Sequence, residues 1–211
     1  MKIAILGAGN VGRALARSTT RAGHDVVLSS PNPAAAQGVA AVIGARVAAS
    51  NAEAVSGSEV VILAVPTAVV ADVVSDLRSS LEGRIVVDVT NRPTPDPEGK
   101  RTTSIAEELQ ALVPQARIVK AFNTAFAARQ EDPTLDDTRA DAYVAADDQD
   151  AKQQVLRLAE SIGFRPIDVG PLAQARTLEG MAWIHISLQM QHQWPWQSAW
   201  KIVGPTGQSE G

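Results

Sequence analysis

The fold is decided close to the start of the chain, by the sequence Ile3-Ala4-Ile5-Leu6-Gly7-Ala8-Gly9-Asn10-Val11-Gly12. A short apolar run that ends at a glycine predicts a buried parallel strand. The pattern G-x-G-x-x-G then opens a segment of helical period, whose first N–H groups can face an anion. The first glycine permits a tight turn, the second lets the backbone approach a diphosphate, and the third lets the helix pack on the sheet. The stretch therefore predicts a dinucleotide site formed by Gly7, Gly9, Asn10, Val11 and Gly12.

The rest of the chain alternates between short apolar runs and segments with helical spacing of apolar residues. Strands are predicted at residues 3–6, 25–28, 45–48, 59–65, 84–89, 117–122, 142–145 and 165–169. Helices are predicted at residues 10–22, 33–43, 51–55, 67–81, 103–112 and 149–162, with a helical pattern from 171 to about 193. This alternation predicts an α/β fold, a Rossmann-like, doubly wound and mostly parallel sheet with a short C-terminal helical part.

Tryptophan usage divides the chain into two parts. The sequence contains four tryptophans, and all of them follow residue 182: Trp183, Trp194, Trp196 and Trp200. We expect residues 1–170 to form the dinucleotide-binding domain and residues 171–211 to form a helical and Trp-rich segment. This segment is expected to wall an acceptor pocket, to contact a second subunit, or both. Residues 91–101 form one long loop rich in proline and glycine, which is typical of a functional or mobile segment.

The composition excludes several classes of function. The 211 residues carry a formal net charge of −4 without a basic block, which argues against nucleic acid as a partner. No apolar run approaches the roughly 20 residues that a membrane span requires, and the first apolar stretch is too short for a signal peptide. The chain has no cysteine and only 3 histidines, so no metal centre is expected. We therefore expect a cytoplasmic protein that binds neither nucleic acid nor a membrane.

The end of the second predicted strand distinguishes NAD from NADP. An NAD site places Asp or Glu about 20 residues after the glycine pattern, on the ribose hydroxyls, but this chain has Leu28-Ser29-Ser30-Pro31-Asn32 there. Hydroxyl and amide donors can bind a 2′-phosphate that a carboxylate would repel. NADP(H) is therefore favoured, with Ser29 in its site and with Ser30 and Asn32 as the main donors. The two serines could also cap the following helix, and both roles can coexist.

Three further strand ends carry candidate cofactor residues. Val65 and Pro66 end the fourth predicted strand, where ribose and nicotinamide would lie. Asn91 follows the fifth strand, and Ala121 and Asn123 end the sixth. The amides of Asn91 and Asn123 suit hydrogen bonding to a carboxamide or a ribose, although such residues also form turns.

Five motifs occur in order: Gly7-Ala8-Gly9-Asn10-Val11-Gly12, Arg21-Ala22-Gly23-His24-Asp25-Val26, Ala64-Val65-Pro66, Lys120-Ala121-Phe122-Asn123-Thr124 and Gly170-Pro171-Leu172-x-x-Ala175-Arg176-x-x-Glu179. In this order they resemble the NADPH-dependent deazaflavin reductases, or coenzyme F-420 (F420):NADP oxidoreductases. The dinucleotide domain of that family also occurs in STEAP-type metalloreductases. The resemblance covers nearly the whole chain.

The resemblance implies a Rossmann-like domain with a short helical C-terminal part, usually in a homodimer. NADP(H) would lie across the strand ends, with a deazaflavin or flavin stacked against the nicotinamide. The implied contacts are Gly9, Asn10 and Val11 to the diphosphate, Ser30 to the 2′-phosphate, Val65 and Pro66 to the nicotinamide ribose, and Asn123 to the nicotinamide side. Where the family commonly has Ser-Arg after the second strand, this chain has Ser30-Pro31 and lacks that guanidinium.

Three functions stay open on the sequence. The first is hydride transfer between NADPH and a coenzyme F-420 or flavin-type small-molecule acceptor. The second is reduction of an imine or a small carbonyl compound by the same cofactor, and the third is a non-catalytic NADP(H) sensor. Direct hydride transfer requires positioned rings and exclusion of water rather than acid–base groups, so no catalytic residue is assigned.

The C-terminal part and the histidines support further expectations. We expect His24 to be structural, and His185 and His192 to belong to a packed or dimeric face. Arg176 and Glu179 are three residues apart in a helix and are expected to pair. The sequence Trp194-Pro195-Trp196 is expected to pack the tail or to wall a ring-shaped substrate.

Overall fold

The computed structural model describes residues 1–92, 94, 98, 100 and 102–204. Its strands, in chain order, are β1 Lys2–Leu6, β2 Asp25–Ser29, β3 Arg46–Val47, β4 Val60–Leu63, β5 Ile85–Asp88, β6 Arg117–Lys120, β7 Thr134–Leu135, β8 Thr138–Arg139, β9 Asp141–Ala146 and β10 Arg165–Asp168. Its α-helices are α1 Asn10–Arg21, α2 Pro33–Ile43, α3 Asn51–Val55, α4 Thr67–Asp76, α5 Ile105–Leu112, α6 Ala127–Glu131, α7 Gln149–Ser161 and α8 Ala175–His192. A 3₁₀ turn at Leu172–Gln174 leads into α8.

Eight of these strands form one sheet in the order β10-β9-β6-β5-β4-β1-β2-β3. Every described pair in this sheet is parallel except β6 with β9, which run antiparallel. The chain order reverses direction between β1 and β4, which makes the carboxyl ends of these two strands the switch point where ligands of such sheets bind. The predicted α/β fold with a mostly parallel sheet is confirmed.

The sheet is covered on both faces, as its continuous apolar strands require. Ile3 and Ile5 of β1 belong to a buried apolar cluster that includes side chains of α1, α2 and α7. Ala4 and Leu6 point the other way, into a second cluster with α4 and α5. Because successive side chains of a strand alternate between faces, this one strand contributes to both halves of the core.

Several boundaries differ from the sequence-based ones. β4 ends at Leu63 rather than at residue 65, and α4 ends at Asp76 rather than at residue 81. α5 begins at Ile105 because Ser104 and Glu107 form a capping box in front of it. Helix α6 and the β7–β8 hairpin occupy a stretch for which no element was predicted.

Parts of two predicted segments fall on residues that are not described. Residues 93, 95–97, 99 and 101 of the predicted long loop and residues 205–211 of the predicted C-terminal segment lie outside the described residues. The division into residues 1–170 and 171–211 stays a prediction. No helix in the described part of the chain combines the length and the apolar character needed to span a bilayer.

The last described residues are bound to the edge of the sheet beside β9 and β10. The Asp141 amide donates to the Trp200 carbonyl at 3.0 Å, and Arg165 Nη2 donates to the Ile202 carbonyl at 2.7 Å. The Asp141 carboxylate is fully buried and accepts from Arg165 Nε at 2.6 Å and from the Ile202 amide at 2.7 Å. Burial alone would raise the pKa of Asp141, but these hydrogen bonds and charges outweigh it and lower the pKa. The tail is therefore attached by charge-assisted hydrogen bonds.

Candidate functional site

A cleft of about 840 Å³ opens at the carboxyl ends of β1, β2, β4 and β5. This volume lies within the roughly 300–1,000 Å³ of small-molecule sites. Nine predicted cofactor residues line it: Gly7, Gly9, Asn10, Val11, Ser29, Ser30, Val65, Pro66 and Asn91. The other lining residues are Pro31, Ala49, Ser50, Asn51, Ala64, Thr67, Val69, Val73, Val89 and Thr90. None of the described residues that line the cleft is charged.

The three glycines of the loop have different surroundings. A Cβ added to Gly7, which has φ of +115°, would lie 2.2 Å from the Ala64 carbonyl oxygen, so no side chain fits there. A Cβ on Gly12 would lie 2.0 Å from the Gly7 carbonyl oxygen, so Gly12 permits close packing beneath the cleft. At Gly9 no described atom beyond its chain neighbours comes within 4 Å of the added Cβ. The structure thus places Gly9 where a ligand can approach the backbone.

The start of α1 offers backbone donors to that same space. Gly9 is the N-cap of α1, and no described side chain makes a capping hydrogen bond there. The first N–H groups of an α-helix have no partner within the helix. Together with the helix dipole, they form a site suited to a diphosphate.

The β2 end of the cleft is polar and neutral. Ser29 Oγ donates to Asn51 Oδ1 at 2.7 Å, and Ser30 Oγ accepts from the Asn32 amide at 3.1 Å. Asn32 caps α2, since its Oδ1 accepts from the Ala35 amide at 3.2 Å, and it is not among the residues that line the cleft. The alternative that Ser29 and Ser30 cap this helix is wrong, because Asn32 does so.

Asn51 is a cleft residue that the sequence analysis missed. It begins α3 and reaches the cleft from the loop after β3, together with Ala49 and Ser50. The signal available in the sequence was Ser50-x-x-Glu53, which marks a helix start. Ser50 Oγ indeed accepts from the Glu53 amide at 3.1 Å. The helix start was predicted, but its place beside β2 depends on strand order.

At the opposite end of the cleft, Asn91 and Asn123 form a reciprocal pair. Asn123 Nδ2 donates to Asn91 Oδ1 at 2.9 Å, and Asn91 Nδ2 donates to the Asn123 carbonyl at 3.0 Å. Thr67, which lines the cleft next to Pro66, donates its hydroxyl to the Asn91 carbonyl at 2.6 Å. Asn91 lines the cleft, whereas the predicted cofactor residues Asn123 and Ala121 are not among its lining residues, since Asn123 is only 5% exposed and Ala121 is fully buried. Asn123 Nδ2 also donates to the Leu178 carbonyl of α8 at 3.0 Å.

The backbone at Phe122 explains why Asn123 faces Asn91. Phe122 has φ of +61°, an unusual conformation for a bulky residue that costs on the order of 1–3 kcal/mol. Its ring is buried against Phe164, with centroids 5.8 Å apart, and Gln130 Nε2 donates to its carbonyl at 3.0 Å. These contacts hold the turn that ends β6 and bring Asn123 under the cleft.

A buried charged cluster lies beneath Thr90 and Asn91. Lys120 and Asp88 are fully buried, and Lys120 Nζ donates to Asp88 Oδ2 at 2.8 Å and to the Thr90 carbonyl at 2.5 Å. Glu179 of α8 lies 3.4 Å from the same ammonium and accepts from the Ile105 amide at 2.8 Å. Burial raises the pKa of Glu179, and the Lys120 charge and the Ile105 N–H oppose this shift only in part. The sequence placed Lys120 and Glu179 in motifs but gave no sign that they meet.

The expected pairing of Arg176 with Glu179 is wrong. Arg176 instead binds Glu107 of the capping box, through Nε to Oε2 at 2.8 Å and through a second bond from Nη2 to Oε1. Burial alone would raise the pKa of Glu107, but Arg176 and Ser104 outweigh it and lower the pKa. A carboxylate on another helix outcompetes the neighbour three residues away because the guanidinium can bind it with two parallel bonds.

The histidines and tryptophans have structural contacts. His24 Nδ1 lies 3.3 Å from the amino terminus and its Nε2 lies 2.9 Å from Ser161 Oγ, so the structural role predicted for it is confirmed. His185 is buried, with Nδ1 3.1 Å from the Thr124 carbonyl and Nε2 2.7 Å from Ser198 Oγ. The ring of Trp196 meets that of Phe126 edge-on, with centroids 5.1 Å apart. His185 and Trp196 thus pack the tail against α8 and the segment after β6.

The described residues contain no group of three or more side chains that could hold a metal ion. Smaller cavities among the described residues lie away from the cleft. One, of about 440 Å³, is near the amino ends of β5 and β6, and one, of about 430 Å³, lies between α8 and the tail. The glycine loop and the amide pair belong to neither of them.

Comparison with known proteins matches the chain to a family model, a sequence relative and a solved structure whose descriptions agree. The profile of the family described as NADP oxidoreductase, coenzyme F420-dependent, matches residues 2–92. The chain is 30% identical over 211 aligned positions to F420-dependent NADP reductase of Methanothermobacter marburgensis, covering 91% of this chain and 94% of that protein. A crystal structure from Arthrobacter sp. FB24, named as an F420-dependent NADP reductase, superposes with a TM-score of 0.82 at 28% identity, covering 92% of this chain and 95% of that one.

A second group of relatives is larger than this chain. Metalloreductase STEAP3 of Rattus norvegicus is 37% identical over 181 aligned positions, which cover 85% of this chain. The chain spans only 36% of that protein's length.

Proposed function

The chain belongs to the coenzyme F420-dependent NADP oxidoreductase family, and from this premise we propose that it transfers hydride between NADP(H) and a coenzyme F420 or flavin-type acceptor. One observation carries the proposal. A single cleft joins a glycine loop with an open backbone position at Gly9 to the amide of Asn91, which is paired with the buried Asn123. The first suits a diphosphate and the second suits a carboxamide, which are the polar features of a nicotinamide dinucleotide.

The phosphate end fits the cofactor by geometry. The N–H groups at Gly9, Asn10 and Val11 would hold the diphosphate, since no described side chain caps this helix start. Ser30 and the Asn51 amide, which Ser29 orients, would hold the 2′-phosphate. Because the described lining contains no carboxylate, a 2′-phosphate meets no like charge there.

The nicotinamide end fits through the remaining capacity of Asn91. One N–H and one oxygen lone pair of its side chain are used by Asn123. A primary amide has two N–H donors and two acceptor lone pairs. Asn91 therefore keeps one donor and one acceptor, the complement of a carboxamide. Val65 and Pro66 would contact the adjacent ribose.

The reaction follows from positioning. The bound cofactor supplies the hydride chemistry, and the residues of this chain orient the rings and exclude water. Val65, Pro66 and Val89 supply apolar cleft surface around the polar Thr90 and Asn91. None of the described lining residues is an ionisable acid or base at neutral pH, as direct hydride transfer allows.

The partner expectations become part of the proposal. We expect a homodimer that uses the outward face of α8, where Ile184 is 57% and Met190 is 67% exposed. Exposed apolar side chains on one helix favour burial against another chain. The cytoplasmic location and the absence of nucleic-acid and membrane partners stay predictions.

The direct test is anaerobic oxidation of NADPH by the purified protein, with coenzyme F420 and FMN offered separately at equal concentration. Turnover with either acceptor, lost in Gly9→Asp, supports the proposal. NADPH binding without turnover on either acceptor would contradict it and would favour the sensor. Oxidation of NADPH only with cyclic imines or small carbonyl compounds would favour the imine or carbonyl reductase.

A further inference from the structure

We propose that Lys120, Asp88 and Glu179 act together as positioning residues that hold Thr90 and Asn91 in place to receive the nicotinamide half of the cofactor. This inference rests on the proposed function, because it concerns the same cleft. None of the three residues lines the cleft. They would act through the two lining residues that they support.

The Lys120 ammonium is fully used by the cluster. Its three N–H donors have three acceptors: Asp88 Oδ2 at 2.8 Å, the Thr90 carbonyl at 2.5 Å and Glu179 Oε1 at 3.4 Å. The exposed fraction of the side chain is 0% for Lys120 and Asp88 and 8% for Glu179. The Lys120 ammonium therefore has no free donor for a ligand, and it reaches the cleft only through Thr90.

The cluster binds every polar group of Thr90: the carbonyl, the amide and the hydroxyl. Besides the carbonyl bound by Lys120, the Thr90 amide donates to Asp88 Oδ1 at 2.9 Å and the Thr90 hydroxyl donates to the same oxygen at 2.6 Å. The next residue is Asn91, whose carboxamide faces the cleft. A displacement of Thr90 would therefore change the direction of the Asn91 side chain.

Glu179 extends this support to two helices. It accepts from the Ile105 amide at the start of α5, and the preceding residue of α8, Leu178, accepts from Asn123 Nδ2 at 3.0 Å. Helix α8 thus contacts the charged cluster and the amide pair one residue apart. Asn91 is supported through Thr90 by the charged cluster and directly by Asn123. Both supports depend on the position of α8.

The energetics favour a positioning role over a purely stabilising one. Burying charges costs several kcal/mol per ion, and well-packed apolar residues of similar volume often give equal or greater stability. Charge-assisted hydrogen bonds instead fix direction, which apolar contacts do not. Three such bonds converge on Thr90, at the cleft surface.

The chain contains a matched control for the competing, purely structural explanation. Lys152 of α7 is also buried, with Nζ 3.1 Å from Asp168 Oδ1 and 3.0 Å from the Gly170 carbonyl. It therefore joins a carboxylate and a main-chain oxygen as Lys120 does, but it touches no residue of the cleft lining. Lys152→Met removes a buried ammonium with the same two kinds of partner at a distance from the described cleft lining, although its carboxylate partner Asp168 is 40% exposed.

The experiment compares Lys120→Met with Lys152→Met in the full-length protein, using two ligands. One ligand is NADPH, and the other is 2′-phosphoadenosine diphosphoribose, which lacks only the nicotinamide. Loss of one directed hydrogen bond corresponds to about a tenfold change in Kd. We expect Lys120→Met to raise the Kd of NADPH about tenfold and to leave the Kd of the fragment unchanged. Lys152→Met is expected to change neither Kd, although both substitutions lower the melting temperature.

Glu179→Gln provides a second variant, which keeps the size and the Oε1 acceptor and removes the negative charge that faces Lys120 Nζ at 3.4 Å and Arg92 Nε at 3.7 Å. It should fold even where Lys120→Met does not, and it should weaken NADPH binding and not fragment binding. Equal weakening of both ligands, or of neither, by the two cluster variants would overturn the inference while leaving the proposed function intact. Failure of the unaltered protein to bind NADPH would overturn both.

Discussion

Asn123 lies behind Asn91 and fixes which way its carboxamide points. The Asn123 carbonyl can only accept, and it lies 3.0 Å from Asn91 Nδ2, so the amide nitrogen of Asn91 must be on that side. Asn123 Nδ2 then donates to Asn91 Oδ1 at 2.9 Å. The residue exposed to the cleft and the residue that sets its direction are therefore different ones.

Alanine substitution should separate these two roles. Asn91→Ala is expected to weaken NADPH binding about tenfold, because one or two hydrogen bonds to the carboxamide are lost. Asn123→Ala removes the two buried hydrogen bonds that its Nδ2 donates, to Asn91 Oδ1 and to the Leu178 carbonyl, so we expect a loss of about 1–3 kcal/mol in the free energy of unfolding. NADPH titration and urea unfolding of both variants measure this. Unchanged NADPH affinity in Asn91→Ala would show that the carboxamide is bound elsewhere.

The glycine loop permits an equally sharp comparison. Gly9→Ala should fold normally, because space is open around its added Cβ, and should bind NADPH poorly, because the proposed position of the diphosphate is in that space. Gly12→Ala places a Cβ 2.0 Å from the Gly7 carbonyl oxygen. We expect it to lower the free energy of unfolding by about 3 kcal/mol or more, at the upper end for overpacking. Thermal unfolding with and without NADPH tests both, and tight binding by Gly9→Ala would refute the assignment of the diphosphate site.

The main architecture could be predicted from the sequence because its signals are local. The apolar run before Gly7 and the G-x-G-x-x-G pattern require only neighbouring residues to be recognised, and the residues they predicted line the cleft or pack beneath it. The antiparallel pairing of β9 with β6 had no such signal, because a strand's direction depends on the path of the chain before it. The same holds for α6 and the β7–β8 hairpin, which are too short to show a period.

The supports of the site could not be predicted, because they depend on contacts between distant segments. Lys120 and Glu179 are 59 residues apart, and Asn91 and Asn123 are 32 apart. Asn32 looked like a ligand residue because it follows Ser30, but the start of α2 needs a cap and its side chain provides one. Arg176 was paired with its helical neighbour since spacing was all that the sequence showed, whereas Glu107 offered two oxygens across a helix contact.

Cofactor preference should respond to a charge placed at Ser30. Ser30→Asp introduces a carboxylate into the cleft where a 2′-phosphate would lie, so we expect the ratio of kcat/KM for NADPH over NADH to fall about tenfold or more. Asn32→Asp is the matched control. It adds the same charge two residues away, keeps a good helix cap and does not lie in the cleft lining. An equal fall in both variants would mean that Asn32 belongs to the 2′-phosphate site after all.

The attachment of the tail should depend on pH through His185. Burial lowers the pKa of this histidine below its ordinary value of 6.5, and the Thr124 carbonyl opposes the shift only in part. Because the Thr124 carbonyl can only accept, Nδ1 of the neutral ring carries the hydrogen and donates to it, and Nε2 accepts from the Ser198 hydroxyl. A histidine whose pKa is lowered by folding contributes its full stability above pH 6.5. That contribution is lost as the pH falls from 6.5 towards the pKa of the folded state, by at most about 1.4 kcal/mol per pH unit.

We therefore expect His185→Gln to reduce the loss of stability between pH 7.5 and 5.5, measured by urea unfolding followed through tryptophan fluorescence. The raised pKa of Glu179 acts in the opposite direction, since its protonation on acidification relieves a buried charge. That contribution is common to both proteins and cancels in their difference. His192→Gln, an exposed position on the last turn of the same helix, should retain the slope of the unaltered protein. If His185→Gln also kept that slope, the pH dependence would arise elsewhere, and His24, whose pKa burial and the amino terminus also lower, would be the next residue to substitute.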